Sequence, residues 1–154
     1  MPALMRRSKW RLVLSGALLT GLLAFIWINS AMPAQTSGQF SGFVGKLLGS
    51  ILPFLSPDTP DGAFLIRKLA HFSEFAALGA SLGWLFGMLL SQPWPGMLIP
   101  AGCGIAAACV DESIQHFSPG RYCSALDVCI DSAGVIIGLT FLLTLHWLLS
   151  KRGK

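Results

Sequence analysis

The chain is expected to be an all-α membrane protein, a bundle of about four transmembrane helices with both termini cytoplasmic. Three observations carry that expectation. Of its 154 residues 53% are hydrophobic and 12% charged, whereas a soluble domain carries roughly 25% charged residues. The apolar residues gather into four runs, and about 20 helical residues cross a bilayer core. The basic residues concentrate at the two ends: Arg6, Arg7, Lys9 and Arg11 precede the first run, and Lys151, Arg152 and Lys154 follow the last. A chain of this length is read as a single domain over 1–154.

The first run, 12–28, is free of charge. Its basic lead and the following Ala31-Met32-Pro33-Ala34 also resemble a secretory signal, but the run exceeds the usual 7–15 residues of such a core and lacks a clean small-x-small cleavage site. It is therefore taken as a retained helix. The second run, 69–90, is long enough to span and carries His71 and Glu74 near its start. The third, 97–114, is the least secure, because Asp111 interrupts it and Pro100 lies within it. The fourth, 128–149, is broken only by Asp131 and His146.

Lys and Arg accumulate on the cytoplasmic side of a membrane, chiefly within about 15–20 residues of helix ends. Both tails are thus expected inside, which an even number of spans permits. Residues 29–67 and 111–127 then lie outside, and 91–96 form a tight inner turn. The chain should reside in the lipid bilayer as a multi-pass protein of the bacterial inner membrane. Its net charge of +4 does not indicate nucleic acid, since the basic residues mark topology rather than a basic face.

Under this topology two charged stretches converge at one membrane face. One is Arg67, Lys68, His71 and Glu74; the other is Asp111, Glu112, Gln115, His116, Arg121, Asp127 and Asp131. Ionisable groups at membrane depth are costly, face a bundle interior or a watery cavity, and mark function. Lys68, His71 and Glu74 step by three along one helix face; Asp111 with Gln115, and Glu112 with His116, are four apart. Asp127, Asp131, Gly134 and Gly138 run along one face of the last helix, the glycines allowing close approach of a neighbour. Ser118-Pro119-Gly120 reads as a turn that brings Arg121 back toward this cluster, flanked by acidic groups that it could bridge.

Simpler readings compete. Arg67 and Lys68 could snorkel to the interface, Asp131 could pair with Arg121 to fix the bundle, and His146 beside Trp147 fits an interfacial position. Cys103 and Cys109, and Cys123 and Cys129, are each six apart and form no CxxC pair, so the cysteines suggest neither a disulfide nor a thiolate metal site. No nucleotide, zinc-protease or nucleophile-elbow pattern occurs.

The string Lys68-Leu-Ala-His71-Phe-Ser-Glu74-Phe-Ala-Ala-Leu78-Gly79 resembles the first signature of the VanZ-like membrane proteins. Asp111-Glu112-Ser-Ile-Gln115-His-Phe-Ser-Pro119-Gly120-Arg121, with Asp127-Val128, Gly134 and Gly138, resembles the second. Ser30-Ala-Met-Pro33 with Ser37 and Ser41 is loosely similar to the stretch after the family's first helix. The resemblance implies a small multi-helix protein of the cell envelope, in a family named for low-level resistance to the glycopeptide teicoplanin. It departs at position 131, Asp where Asn is usual, and at position 75, Phe where Tyr is common.

Three functions are compatible with these residues. The first is an envelope-facing site that binds or processes an anionic lipid-linked or cell-wall-related molecule. Lys68 and Arg121 would hold its phosphate or carboxylate, with Asp111, Gln115 and Asp131 as further ligand-binding residues. His71, Glu74, Glu112 and Asp127 would supply acid–base groups. A divalent metal held by the aspartates is possible. The second is a proton, ion or solute transport element, ranked lower because the inner halves of the second and fourth runs are apolar apart from His146. The third is a non-catalytic structural or partner-binding bundle fixed by buried ion pairs.

Overall fold

The computed structural model describes residues 9–36, 46, 50, 58–90 and 95–152. Arg6, Arg7, Lys154, Ser37, Ser41 and most of the expected 91–96 turn lie outside the described residues. The architecture is four long helices: α1 (Lys9–Ala31), α2 (Pro60–Leu89), α3 (Pro95–His116) and α4 (Ala125–Arg152). Each contains a stretch long and apolar enough to cross a membrane. Among the described residues there is no strand.

All four helices outrun their apolar cores. The largest difference is in α2, which starts at Pro60 rather than near Leu69. Thr59 caps it: its side-chain oxygen accepts from the Gly62 amide at 3.1 Å, Pro60 occupies the first helical position, and Asp61 lies in the first turn. These residues satisfy and complement the exposed amides of a helix start, so the helix begins well before the hydrophobic run. Arg67 and Lys68 therefore stand inside α2. The third helix is not short. Its α-helical backbone continues through Asp111 and Glu112 to His116, giving a 20-residue apolar stretch from Met97, with Pro100 buried within it.

The most extensive contact joins α2 to α4; α3 packs against both, and α1 lies against α2 and α3. Phe75, Leu78 and Leu82 of α2, spaced by three and four, meet Val135 and Leu139 of α4, Ala107 and Ala108 of α3, and Ile26 of α1. In lipid, apolar burial adds little drive for helices to associate, and close van der Waals packing does the work. The α2–α4 crossing depends on it. A Cβ on Gly138 would strike the Ala76 carbonyl, and one on Gly79 would strike the Val135 carbonyl. Val13, Leu14, Leu18 and Phe25 of α1 point away from the bundle, as expected of a lipid-facing helix.

Candidate functional site

The helices alternate in direction. The C-terminal turns of α1 and α3, the first half of α2 and the N-terminal turn of α4 consequently meet at one end. Every buried charged residue is found there: His71, Asp111, Glu112 and Asp131 among the described residues, with Gln115, Ser30 and Ser118 also buried.

Local structure delivers each group. On α2, His71 and Glu74 share the face that continues into Phe75 and Leu78. The His71 Nδ1 atom lies 3.9 Å from Glu74 Oε2 and 4.0 Å from Asp111 Oδ2, distances beyond a hydrogen bond. Asp111 and Gln115 stack one turn apart on α3, where Gln115 Nε2 donates to Asp111 Oδ2 at 2.8 Å. Glu112 reaches the start of α4: its Oε2 accepts from the Ser124 amide at 2.8 Å. A carboxylate at a helix N-terminus is favoured there by the exposed amides and the helix dipole.

Ser118, Pro119, Gly120 and Arg121 form the expected turn, closed by the Arg121 amide on the Ser118 carbonyl at 3.2 Å. Pro119 takes the second position, and Gly120 the third with φ of 76°, as a type II turn requires. The turn carries Arg121 back over the site. Its guanidinium donates from Nη2 to the Asn29 backbone carbonyl at 3.1 Å, whereas an acidic bridge was expected. Burial lowers the Arg121 pKa from its ordinary value, opposed by Asp111 and, more weakly, by Glu112 and Glu74.

The structure brings together all nine residues singled out for binding or acid–base roles: Lys68, His71, Glu74, Asp111, Glu112, Gln115, Arg121, Asp127 and Asp131. Lys68 does not stand alone as an anion holder, because it forms an ion pair with Asp127. Asp131 does not pair with Arg121; its Oδ2 is buried with no hydrogen-bond partner. His116 is exposed and lies edge-on to Phe117, with ring centroids 5.3 Å apart. Arg67 is exposed beside the Phe64 ring. The four cysteines are exposed free thiols.

Sequence reasoning named Ser30 only within the stretch loosely similar to the family and gave α1 no part in the cluster. Asn29 donates toward Glu74 Oε1 at 3.5 Å, and the Ser30 carbonyl accepts from the Ser118 hydroxyl at 2.8 Å. The signal was a pair of neutral polar residues closing a largely apolar run.

Several buried polar atoms at this end lack hydrogen-bond partners: Nδ1 of His71, Oε2 of Glu74, Oδ1 of Asp111, Oε1 of Glu112, Oδ2 of Asp131, and Nε and Nη1 of Arg121. Buried polar atoms are ordinarily paired, so each such atom needs an explanation. Their concentration at one end sets that end apart from the apolar remainder of the bundle. A family model described as VanZ/LLP1 matches residues 15–147, most of the chain, in agreement with the resemblance carried by the two motif strings. Comparison with curated proteins and with solved structures gives no significant match.

Proposed function

The chain belongs to the VanZ/LLP1 family, and we propose that it binds the anionic head of a lipid-linked, cell-wall-related molecule at the envelope face of the bacterial inner membrane. The teicoplanin resistance for which the family is named would follow from altered handling of that molecule. The observation that carries this reading is the state of Arg121. One of its nitrogens is anchored on the Asn29 carbonyl, and Nε and Nη1 are buried without partners. A guanidinium held in this way offers directed donors to a phosphate or carboxylate, and the anchoring limits the side-chain entropy that binding would cost. Lys68 adds a second positive charge nearby, shared with Asp127. A ligand with a lipid tail could reach this end of the bundle from the bilayer.

The site residues sit at one end, and this arrangement favours binding over a path across the membrane. Protein reconstituted in nanodiscs should be titrated with a long-chain polyprenyl phosphate and with the corresponding uncharged polyprenol. The phosphate should bind at least about tenfold more tightly, equivalent to roughly 1.4 kcal/mol, and Arg121→Gln should abolish that preference. Equal binding of phosphate and alcohol by folded wild-type protein would overturn the reading.

A further inference from the structure

Three buried donors from three different helices face one another in this site: His71 from α2, Asp111 from α3 and Asp131 from α4. One potential ligand atom from each lies within 4.8 Å of the other two. Asp111 is 0% exposed and Asp131 1%, and each keeps a carboxylate oxygen without a hydrogen-bond partner. His71 likewise has a buried Nδ1 without one. Two buried carboxyl groups this close cannot both stay ionised on their own: they hold a proton or meet something positive.

The protein's own cations offset this acid only in part. Lys68 is paired with Asp127, and Arg121 is anchored on the Asn29 carbonyl. Against these two cations stand the carboxylates of Glu74, Asp111, Glu112, Asp127 and Asp131. The excess of acid and the convergence of unpartnered donors have a common explanation.

We propose that His71, Asp111 and Asp131 bind a divalent transition-metal ion of the manganese or zinc type. An imidazole nitrogen with two carboxylates suits these ions better than magnesium or calcium, which favour oxygen ligands alone. Metal–ligand distances near 2.0–2.2 Å place neighbouring donors roughly 3.0–3.5 Å apart, so side-chain rotations must draw these three atoms, now within 4.8 Å of one another, closer around the ion. Gln115 acts as the outer support: by donating to Asp111 Oδ2 it orients this carboxylate and leaves Oδ1 unpartnered. Three protein ligands leave coordination positions open for an oxygen of a bound anion. The proposal deepens the anion-binding reading but does not depend on it, because the metal is measured directly.

The test uses tag-free wild-type protein in detergent, stripped with chelator and titrated with Mn²⁺ or Zn²⁺ alone. The expected result is one ion per chain. Pulsed electron paramagnetic resonance of the Mn²⁺ form should show ¹⁴N coupling from an imidazole, lost in His71→Gln. Asp131→Asn should weaken binding by more than the roughly 10–100-fold that follows loss of an outer-shell partner. A folded wild-type protein that binds neither ion, or binds Mn²⁺ without nitrogen coupling, overturns the proposal. A negative wild-type result overturns the proposal even if a variant fails to fold, and the nitrogen coupling should persist in His116→Gln and His146→Gln. The wild-type measurements contain no lipid phosphate, so failure of anion binding remains a separate result.

Discussion

The Arg121 guanidinium donates from Nη2 to the Asn29 backbone carbonyl at 3.1 Å, joining the α3–α4 turn to the last turn of α1. Two further bonds reinforce that junction: the Ser118 hydroxyl on the Ser30 carbonyl at 2.8 Å, and the Ala34 amide on the Pro119 carbonyl at 3.2 Å. The last turns of a helix leave carbonyls without intrahelical partners. Here two of them accept from side chains of the turn that carries Arg121. Closing α1 and placing the site's guanidinium are the same structural act.

Replacing Arg121 by Lys should therefore be poorly tolerated although it preserves charge. A flexible ammonium can reach the Asn29 carbonyl or face the site, but it cannot reproduce a planar group that is anchored by one nitrogen and presents others. A hydrogen bond from a charged donor contributes about 1.5–3 kcal/mol, so Arg121→Lys should cost about 1–2 kcal/mol in thermal unfolding of the detergent-solubilised protein. Arg121→Met should cost more. Unchanged stability and phosphate binding in the Lys form would show that a positive charge alone suffices.

Lys68 and Asp127 should behave as a coupled pair. Their side chains are each 18% exposed, so removing either leaves a poorly solvated charge. Lys68→Met and Asp127→Asn should each destabilise the fold, and the double variant should be less destabilised than their sum by about 1 kcal/mol, within the usual range for interacting neighbours. Additive effects in a double-mutant cycle would mean that the ion pair contributes nothing in solution.

Much of this arrangement was legible in the sequence, and the missing parts share a physical cause. Apolar runs reveal four spans because lipid demands them, but they do not mark helix ends. The first turn from Pro60 is polar and capped by Thr59, and Arg67 and Lys68 separate the apolar residues 63–66 from the main run, so that run alone does not mark the helix start. The convergence of His71, Glu74, Asp111, Arg121 and Asp131 follows from alternating helix directions alone. Which groups touch depends on helix rotation, which periodicity does not specify. Thus Lys68 meets Asp127, and Asn29, a neutral polar residue at a helix end, gives no sign that it faces Glu74 and Arg121.

The close crossing of α2 and α4 should tolerate no side chain at its centre. A Cβ on Gly138 would lie 2.8 Å from the Ala76 carbonyl carbon and 2.9 Å from the Ala80 amide nitrogen, both backbone atoms that cannot rotate away. Gly138→Ala should destabilise by about 1–3 kcal/mol, the usual cost of overpacking. Gly21 of α1 has nothing within 4 Å of the same construction. Gly21→Ala should be neutral or stabilising by up to about 1 kcal/mol through helix propensity. Thermal unfolding of the two variants under identical conditions should give opposite or clearly unequal shifts. Equal shifts would remove close approach as the reason for the glycine.

The site end should face outward, with both chain ends in the cytoplasm. Because the last turn of α1 meets the α3–α4 turn, Lys9 and Lys151 lie at the opposite end of the bundle from Arg121. Their neighbours fit a membrane boundary: the Lys151 ammonium stands 3.8 Å from the Trp147 ring centroid, and the Arg11 guanidinium lies over Trp10. Trp gathers at bilayer interfaces, and Lys and Arg gather on the cytoplasmic side. In a background with the four cysteines replaced by alanine, Tyr122→Cys, at an 86% exposed position, should react with a membrane-impermeant maleimide in intact cells. Lys151→Cys should react only after permeabilisation. The reverse pattern would place the site in the cytoplasm, where an envelope-side lipid-linked ligand could not reach it.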